Sequence, residues 1–166
     1  LAISPAELLA AGGPLSRILP GYEHRPQQVR MCAEVADVLE RGGGLAVEAG
    51  TGVGKSLAYL LPAAQWAARH EQRVVVSTHT RVLQSQLVGN DAPLVARLLG
   101  GGLRVAAAYG QENYVCRFRL GAAADRGLFD TLDEARNAQR LFDWAEASAD
   151  GLLLGYRFRM QTWSLS

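Results

Sequence analysis

Residues Ala49-Gly50-Thr51-Gly52-Val53-Gly54-Lys55-Ser56 constrain this chain more than any other stretch. Three glycines alternate with other residues, and a lysine and a serine follow at once. Glycine adopts backbone conformations closed to other residues, so such a run can curl until successive N–H groups point inward. That concave row of donors suits a polyphosphate. Lys55 would reach the β- and γ-phosphates, and the Ser56 hydroxyl would ligate Mg²⁺. These two are the expected catalytic side chains, and the loop fixes a ligand class, a nucleoside triphosphate. Ala49 stands where the strict pattern has Gly, and it is small enough to sit beside the turn.

A phosphate-binding loop needs a strand before it and a helix after it. Leu45-Ala46-Val47 is short and apolar and follows Gly42-Gly43-Gly44, as a buried strand should. Ser56 to Ala68 is rich in Leu and Ala, lacks Gly and predicts a helix, which Pro62 should bend or end. The competing reading, an ordinary Gly-rich turn, explains neither flank.

Around this unit the chain alternates. Pro5 to Ala11 predicts a short helix within a Pro/Gly-punctuated lead-in. From Pro26 to Arg41, Val29, Cys32, Ala36 and Leu39 fall on one helical face. Arg73 to Ser77 and Leu103 to Ala108 read as β-branched or apolar strands. Between them, Arg81–Val88 and Ala92–Leu99 read as helices split by Gly89-Asn90-Asp91. Strand, helix, strand, helix, strand predicts an α/β fold, a parallel sheet flanked by helices, with ligands at the carboxyl ends of the strands. Past Gly110 the alternation stops. Thr131 to Ala149 has a helical pattern, and Leu152 to Ser166 has no clear assignment.

The chain has 166 residues, one domain's worth, and 49% of them are apolar. Its formal net charge of +1 advertises no strongly basic surface, although a local patch remains compatible with it. No apolar run approaches the ~20 residues that span a bilayer. That leaves no membrane partner expected, and Leu1 to Ala11 carry no basic n-region, so no secretory signal is expected either. Cys32 and Cys116 offer no disulfide framework and suit a reducing cytoplasm. A start at Leu1 and a stop at Ser166 without an obvious terminal element lead us to expect a fragment. His24, His70 and His79 have no metal-ligand spacing.

The order Arg25-Pro26-Gln27-Gln28, helix, then Glu48 to Pro62 resembles the opening of the DinG/XPD-type superfamily 2 DNA helicases. The resemblance covers roughly Tyr22 to Leu120 and implies the RecA-like P-loop NTPase fold of an incomplete first motor domain. It implies that Gln28 recognises adenine, whose donor and acceptor an amide can satisfy together. ATP is then the nucleotide, and Arg25 flanks the base or the phosphates. Read without the resemblance, Gln28 is a polar residue in a helix's first turn, and Arg25 a solvated helix-start residue.

Ser77 to Leu87 is similar to the helicase segment that grips single-stranded DNA by its sugar–phosphate backbone. Thr78, Thr80, Arg81 and Gln84 are the candidates, since hydroxyls and N–H groups at a helix start bind phosphate without reading sequence. Thr80 equally reads as a helix cap. Tyr109 to Cys116 is similar to the segment carrying the first cluster cysteine of iron–sulfur helicases, although Gln111 stands where that family usually has a basic residue. A [4Fe–4S] cluster needs four thiolates, and Cys32 reads as core. Cys116 is thus either one ligand of a cluster completed elsewhere or a plain buried cysteine.

The resemblance implies an ATP-dependent helicase of 5′-to-3′ polarity, with no obligate protein partner inferred. It divides the chain into a lead-in (1–24), a partial ATP-binding domain (25–115) and the helical start of an iron–sulfur insert (116–166). The acidic box that positions the attacking water is missing, since Asp133-Glu134 lies in a helical stretch. So is the second lobe with its arginine finger. Phosphoryl transfer depends on such charges, so the chain alone should bind ATP without efficient hydrolysis. A small-molecule or nucleotide kinase is the alternative, but it needs a basic lid, and only Arg117, Arg119 and Arg126 follow the third predicted strand closely. A non-catalytic nucleotide-binding module is the third reading.

Overall fold

The computed structural model describes residues 3–125, 131–153 and 156. It separates into two compact units, Leu1–Ala107 and Ala108–Ser166. The predicted tail from residue 157 onward and Arg126 lie outside the described residues.

In the first unit, α1 (Pro5–Leu8) opens on a capping box. Ser4 Oγ accepts from the Glu7 N–H, and Glu7 Oε2 accepts from the Ser4 N–H at 2.8 Å. The Ser4 backbone N–H holds the Glu7 carboxyl below its ordinary range, with the Ser4 hydroxyl adding to the effect. A second short helix, α2 (Pro14–Ile18), stands where no helix is expected. Pro14 occupies its first turn, where a missing N–H costs nothing.

The two long helices hold the unit together. α3 (Pro26–Arg41) begins on a proline and ends at Gly42, whose φ of 77° lies in the left-handed region. α4 (Lys55–His70) packs along it. Cys32 from α3 meets Ala58, Leu61 and Ala64 from α4 in a core that also holds Leu8, Leu9, Leu15 and Val95. Alanines at two of the α4 positions let the helices approach closely, and each fully buried leucine contributes about 1.5–3 kcal/mol. At the far end, Arg69 and His70 both reach the Glu40 carboxylate. These contacts are half-exposed and add little.

Pro62 does not end α4, which runs eight residues beyond it. The proline leaves the Ala58 carbonyl without its helical donor, yet it is fully buried. Apolar packing on the α3-facing side outweighs the lost bond. Likewise Gly89-Asn90-Asp91 does not break the helical path. α5 (Arg81–Gln86) passes through a π-helical turn (Leu87–Asp91) into α6 (Ala92–Leu98). One extra residue in the turn absorbs what the sequence suggests is a loop.

The parallel sheet is not formed among the described residues. Residues 45–47, 73–77 and 103–108 make no backbone–backbone hydrogen bond and carry no regular structure. Most of their apolar side chains face outward, with Val75 89% and Val105 48% exposed, while Leu103 packs against the core. A strand is stabilised by its neighbours, and β-branched composition cannot supply them.

In the second unit a 3₁₀ turn (Gln111–Asn113) precedes α7 (Arg117–Asp125) and α8 (Leu132–Ala147). Thr131 and Glu134 form the capping box of α8. Tyr114 makes an antiparallel bridge to Leu152, and the Val115 N–H donates to Gly151 O at 2.9 Å. The Arg117 guanidinium donates to Ala145 O at 2.6 Å and Ser148 O at 2.9 Å. Those carbonyls close α8, where a cation is favoured. Among the described residues, no helix is long and apolar enough to cross a membrane.

Candidate functional site

The glycine run forms a loop that ends in the first turn of α4. Gly52 and Gly54 have φ of 76° and 78°, and Gly54 is the residue immediately before the helix. No side chain caps this helix start. Its N-terminal N–H groups, together with the helix dipole, suit an anion. The curl predicted from Ala49, Gly50, Thr51, Gly52, Val53 and Gly54 is thus built around two left-handed glycines.

Lys55 does not extend into solvent. Its Nζ donates to Ala49 O at 2.8 Å and Gly50 O at 2.7 Å. Two of its three N–H bonds are therefore spent on the loop's own carbonyls. Phosphate oxygens are stronger acceptors for an ammonium, so this arrangement suits exchange for a nucleotide. Ser56 sits half-buried in the first turn of α4. Burial raises the pKa of Tyr59 one turn further on, against the lowering effect of a hydrogen bond with Ser56. The donor set fits Mg²⁺-ATP: loop N–H groups and an ammonium for phosphate, and a hydroxyl for the metal.

Gln28 joins this loop although it lies 26 residues away in sequence. Its Nε2 donates to Gly54 O at 2.9 Å, and its Oε1 lies 3.3 Å from the Tyr22 hydroxyl oxygen. The side chain is 2% exposed. A Cβ on Gly54 would stand 2.2 Å from Gln28 Nε2, so this close approach needs glycine. Tyr22 itself donates to Leu9 O at 2.6 Å, and burial raises its pKa. The Tyr22–Gln28 contact is invisible to sequence spacing. The only sequence sign is that both residues precede the loop in one short segment. Arg25 turns to the Glu23 carboxylate at 3.4 Å and does not touch the loop.

The other predicted residues lie apart from this cluster. Thr80 caps α5, its Oγ accepting from the Leu83 N–H at 3.3 Å. Arg81 is exposed, while Thr78 and Gln84 are half-buried. Cys116 is exposed, so its reading as a buried cysteine is overturned. Cys32 is buried as core, and that burial pushes its thiol up to about 12. The two cysteines of the sequence cannot furnish the four thiolates of a cluster, and one of them is sealed in the core. Among the described residues no cluster of His, Cys, Asp or Glu could hold a metal.

Several known proteins are similar to this chain. Over 142 residues the chain is 36% identical to "ATP-dependent DNA helicase YoaA" of Escherichia coli, covering 86% of this chain and 22% of that protein. It is 38% identical over 168 residues to "ATP-dependent helicase DinG" of Mycobacterium tuberculosis, covering 91% of this chain and 25% of that protein. Over 106 residues it is 37% identical to "3'-5' exonuclease DinG" of Bacillus subtilis, covering 64% of this chain and 11% of that protein. The chain thus spans a quarter or less of the length of these relatives. Residues 25–120, from the arginine before α3 to the first turn of α7, match the profile of the DEAD/DEAH box helicases, and the chain belongs to that family.

Proposed function

We propose that this chain is the ATP-binding portion of an ATP-dependent DNA helicase. The observation that carries the reading is the loop itself. Two left-handed glycines lead into an uncapped helix start, and Lys55 is held only by loop carbonyls that a phosphate can replace. When bound, Mg²⁺ would neutralise charge on the phosphate oxygens. Ser56 holds the metal, Lys55 reaches the phosphates, and the N–H groups of residues 50–56 line the cradle. Gln28 reads adenine, and Arg25 swings from Glu23 toward the nucleotide.

The relatives' names support DNA as the second ligand. Single-stranded DNA would lie along Thr78, Thr80, Arg81 and Gln84, where hydroxyl, guanidinium and amide groups suit phosphates. Movement is 5′ to 3′, in the cytoplasm. The RecA-like fold would place residues 45–47, 73–77 and 103–108 in its parallel sheet. Cys116, exposed at the start of α7, would supply one of four ligands to a [4Fe–4S] cluster. The chain contains no acidic box after a strand, so it binds ATP without efficient hydrolysis.

Calorimetry with Mg²⁺-ATP tests the reading. Lys55→Ala should abolish most of the affinity, because Lys55 is the cation the loop sequence itself provides. Equal affinities for the parent and the variant would refute it.

A further inference from the structure

The helical path from Arg81 to Leu98 holds one residue too many for a regular α-helix. Ala92 and Val95 are buried on its inner face. In a regular helix the residue in line with them, four before Ala92 and seven before Val95, would be Val88. Val88 is exposed, and Leu87 is buried in its place. The π turn makes the difference, since the Ala92 N–H donates to Leu87 O, five residues back instead of four. Two features favour the wider turn. Pro93 has no N–H for the carbonyl four residues back, and in a regular turn its ring would collide with that carbonyl. Across the turn, Gln86 Nε2 donates to Asp91 Oδ2 at 3.2 Å.

The extra residue also sets the rotation of everything before it, because a helix turns about 100° per residue. α5 buries none of its own residues, so Leu87 and the turn decide which way it faces. Counted back from Leu87, Leu83 and Gln84 fall in line with it, and both are half-buried. Arg81 lies off that line and is exposed. Counted back from Val88, as a regular helix would require, Gln84 and Arg81 fall in line instead, and the guanidinium would turn toward the body of the unit. We propose that the π turn is a phase adapter for nucleic-acid binding, in which Leu87 and Pro93 are positioning residues that keep Arg81 outward. The inference rests on the reading of Arg81 as a phosphate contact of single-stranded DNA.

The test is the salt dependence of binding to a labelled oligothymidylate, followed by fluorescence anisotropy on the full chain. Arg81→Ala should lower the slope of log affinity against log salt by about 0.7, the share of one single-strand phosphate contact. Leu87→Ala with Val88→Leu and Pro93→Ala moves the large side chain to the regular position and lets the path close as α-helix. This variant should lose the same slope although its Arg81 is intact. An alanine inserted between Gln86 and Leu87 gives α5 the same rotation with the turn untouched, and it should have the same effect. Moving the arginine one position, by Arg81→Val with Val82→Arg, should lower the slope in the parent and restore it in both rotated variants. General destabilisation has no means of producing that reversal. If either rotated variant keeps the parent slope, or the moved arginine fails to restore it, the proposal is overturned. An unchanged slope in Arg81→Ala would instead remove the DNA reading of Arg81, and the proposal with it.

Discussion

Gly54→Ala probes the join between the loop and α3 at its tightest point. Two independent costs arise there. The first is conformational, because φ is 78° and a side chain in the left-handed region costs about 1–2 kcal/mol. The second is steric. The new Cβ would stand 2.2 Å from Gln28 Nε2 and 2.9 Å from its Cδ. Gln28 must move, and at 2% exposure it is too buried for solvent to replace Gly54 O readily. Losing that hydrogen bond and stranding the amide costs about 1–3 kcal/mol more. The sum is about 2–5 kcal/mol, measurable by urea denaturation. In a Gln28→Ala background the steric cost vanishes and only the strain of about 1–2 kcal/mol remains. The two substitutions should therefore couple by about 1–3 kcal/mol in a double-mutant cycle. If Gly54→Ala costs the same in both backgrounds, Gln28 does not pack on the loop as described, and the reasoning fails.

The remaining expectations are simpler. A thiol reagent at pH 8 should label Cys116 alone in the folded chain and both cysteines in denaturant, and two fast thiols under native conditions would contradict the burial of Cys32. Burial raises the Cys32 pKa from its ordinary 9.0 to about 12, so its protonated form is favoured by folding. That contribution is complete below pH 9 and is lost as pH rises toward 12, which an alkaline denaturation series on a Cys32→Ala control can isolate. Thr80→Ala should remove the α5 cap and about 0.5–2 kcal/mol of local helix stability, read as faster amide exchange at Leu83. Arg81→Ala, by contrast, should leave the fold intact and lower the salt dependence of single-stranded DNA binding. An unchanged salt slope would exclude Arg81 as a phosphate contact.

What could be read from the sequence followed how local its cause was. α3 spans the residues its periodicity predicts, because one stripe of Val29, Cys32, Ala36 and Leu39 and a terminal glycine suffice. The loop was legible because glycine spacing and the adjoining lysine act within eight residues. Helix continuity was harder. Pro62 and Gly89 signal breaks locally, and packing or one π turn overrides them. The strands show the opposite failure, since the composition of residues 73–77 favours a sheet while pairing depends on neighbours. Only the family resemblance gives Gln28 a nucleotide role. Its contacts with Gly54 and Tyr22 came only with the packing of α3 against the loop. The Arg117 clamp on the end of α8 likewise joins residues nearly thirty apart and leaves no pattern in the sequence.

When nucleotide binds, Lys55 should exchange the loop carbonyls for phosphate. A crystal structure with Mg²⁺ and a non-hydrolysable ATP analogue tests it most directly. In that structure Lys55 Nζ should leave Ala49 O and Gly50 O and lie on the terminal phosphates, with Ser56 Oγ on the metal. An analogue bound elsewhere, with Lys55 still on its two carbonyls, would contradict it.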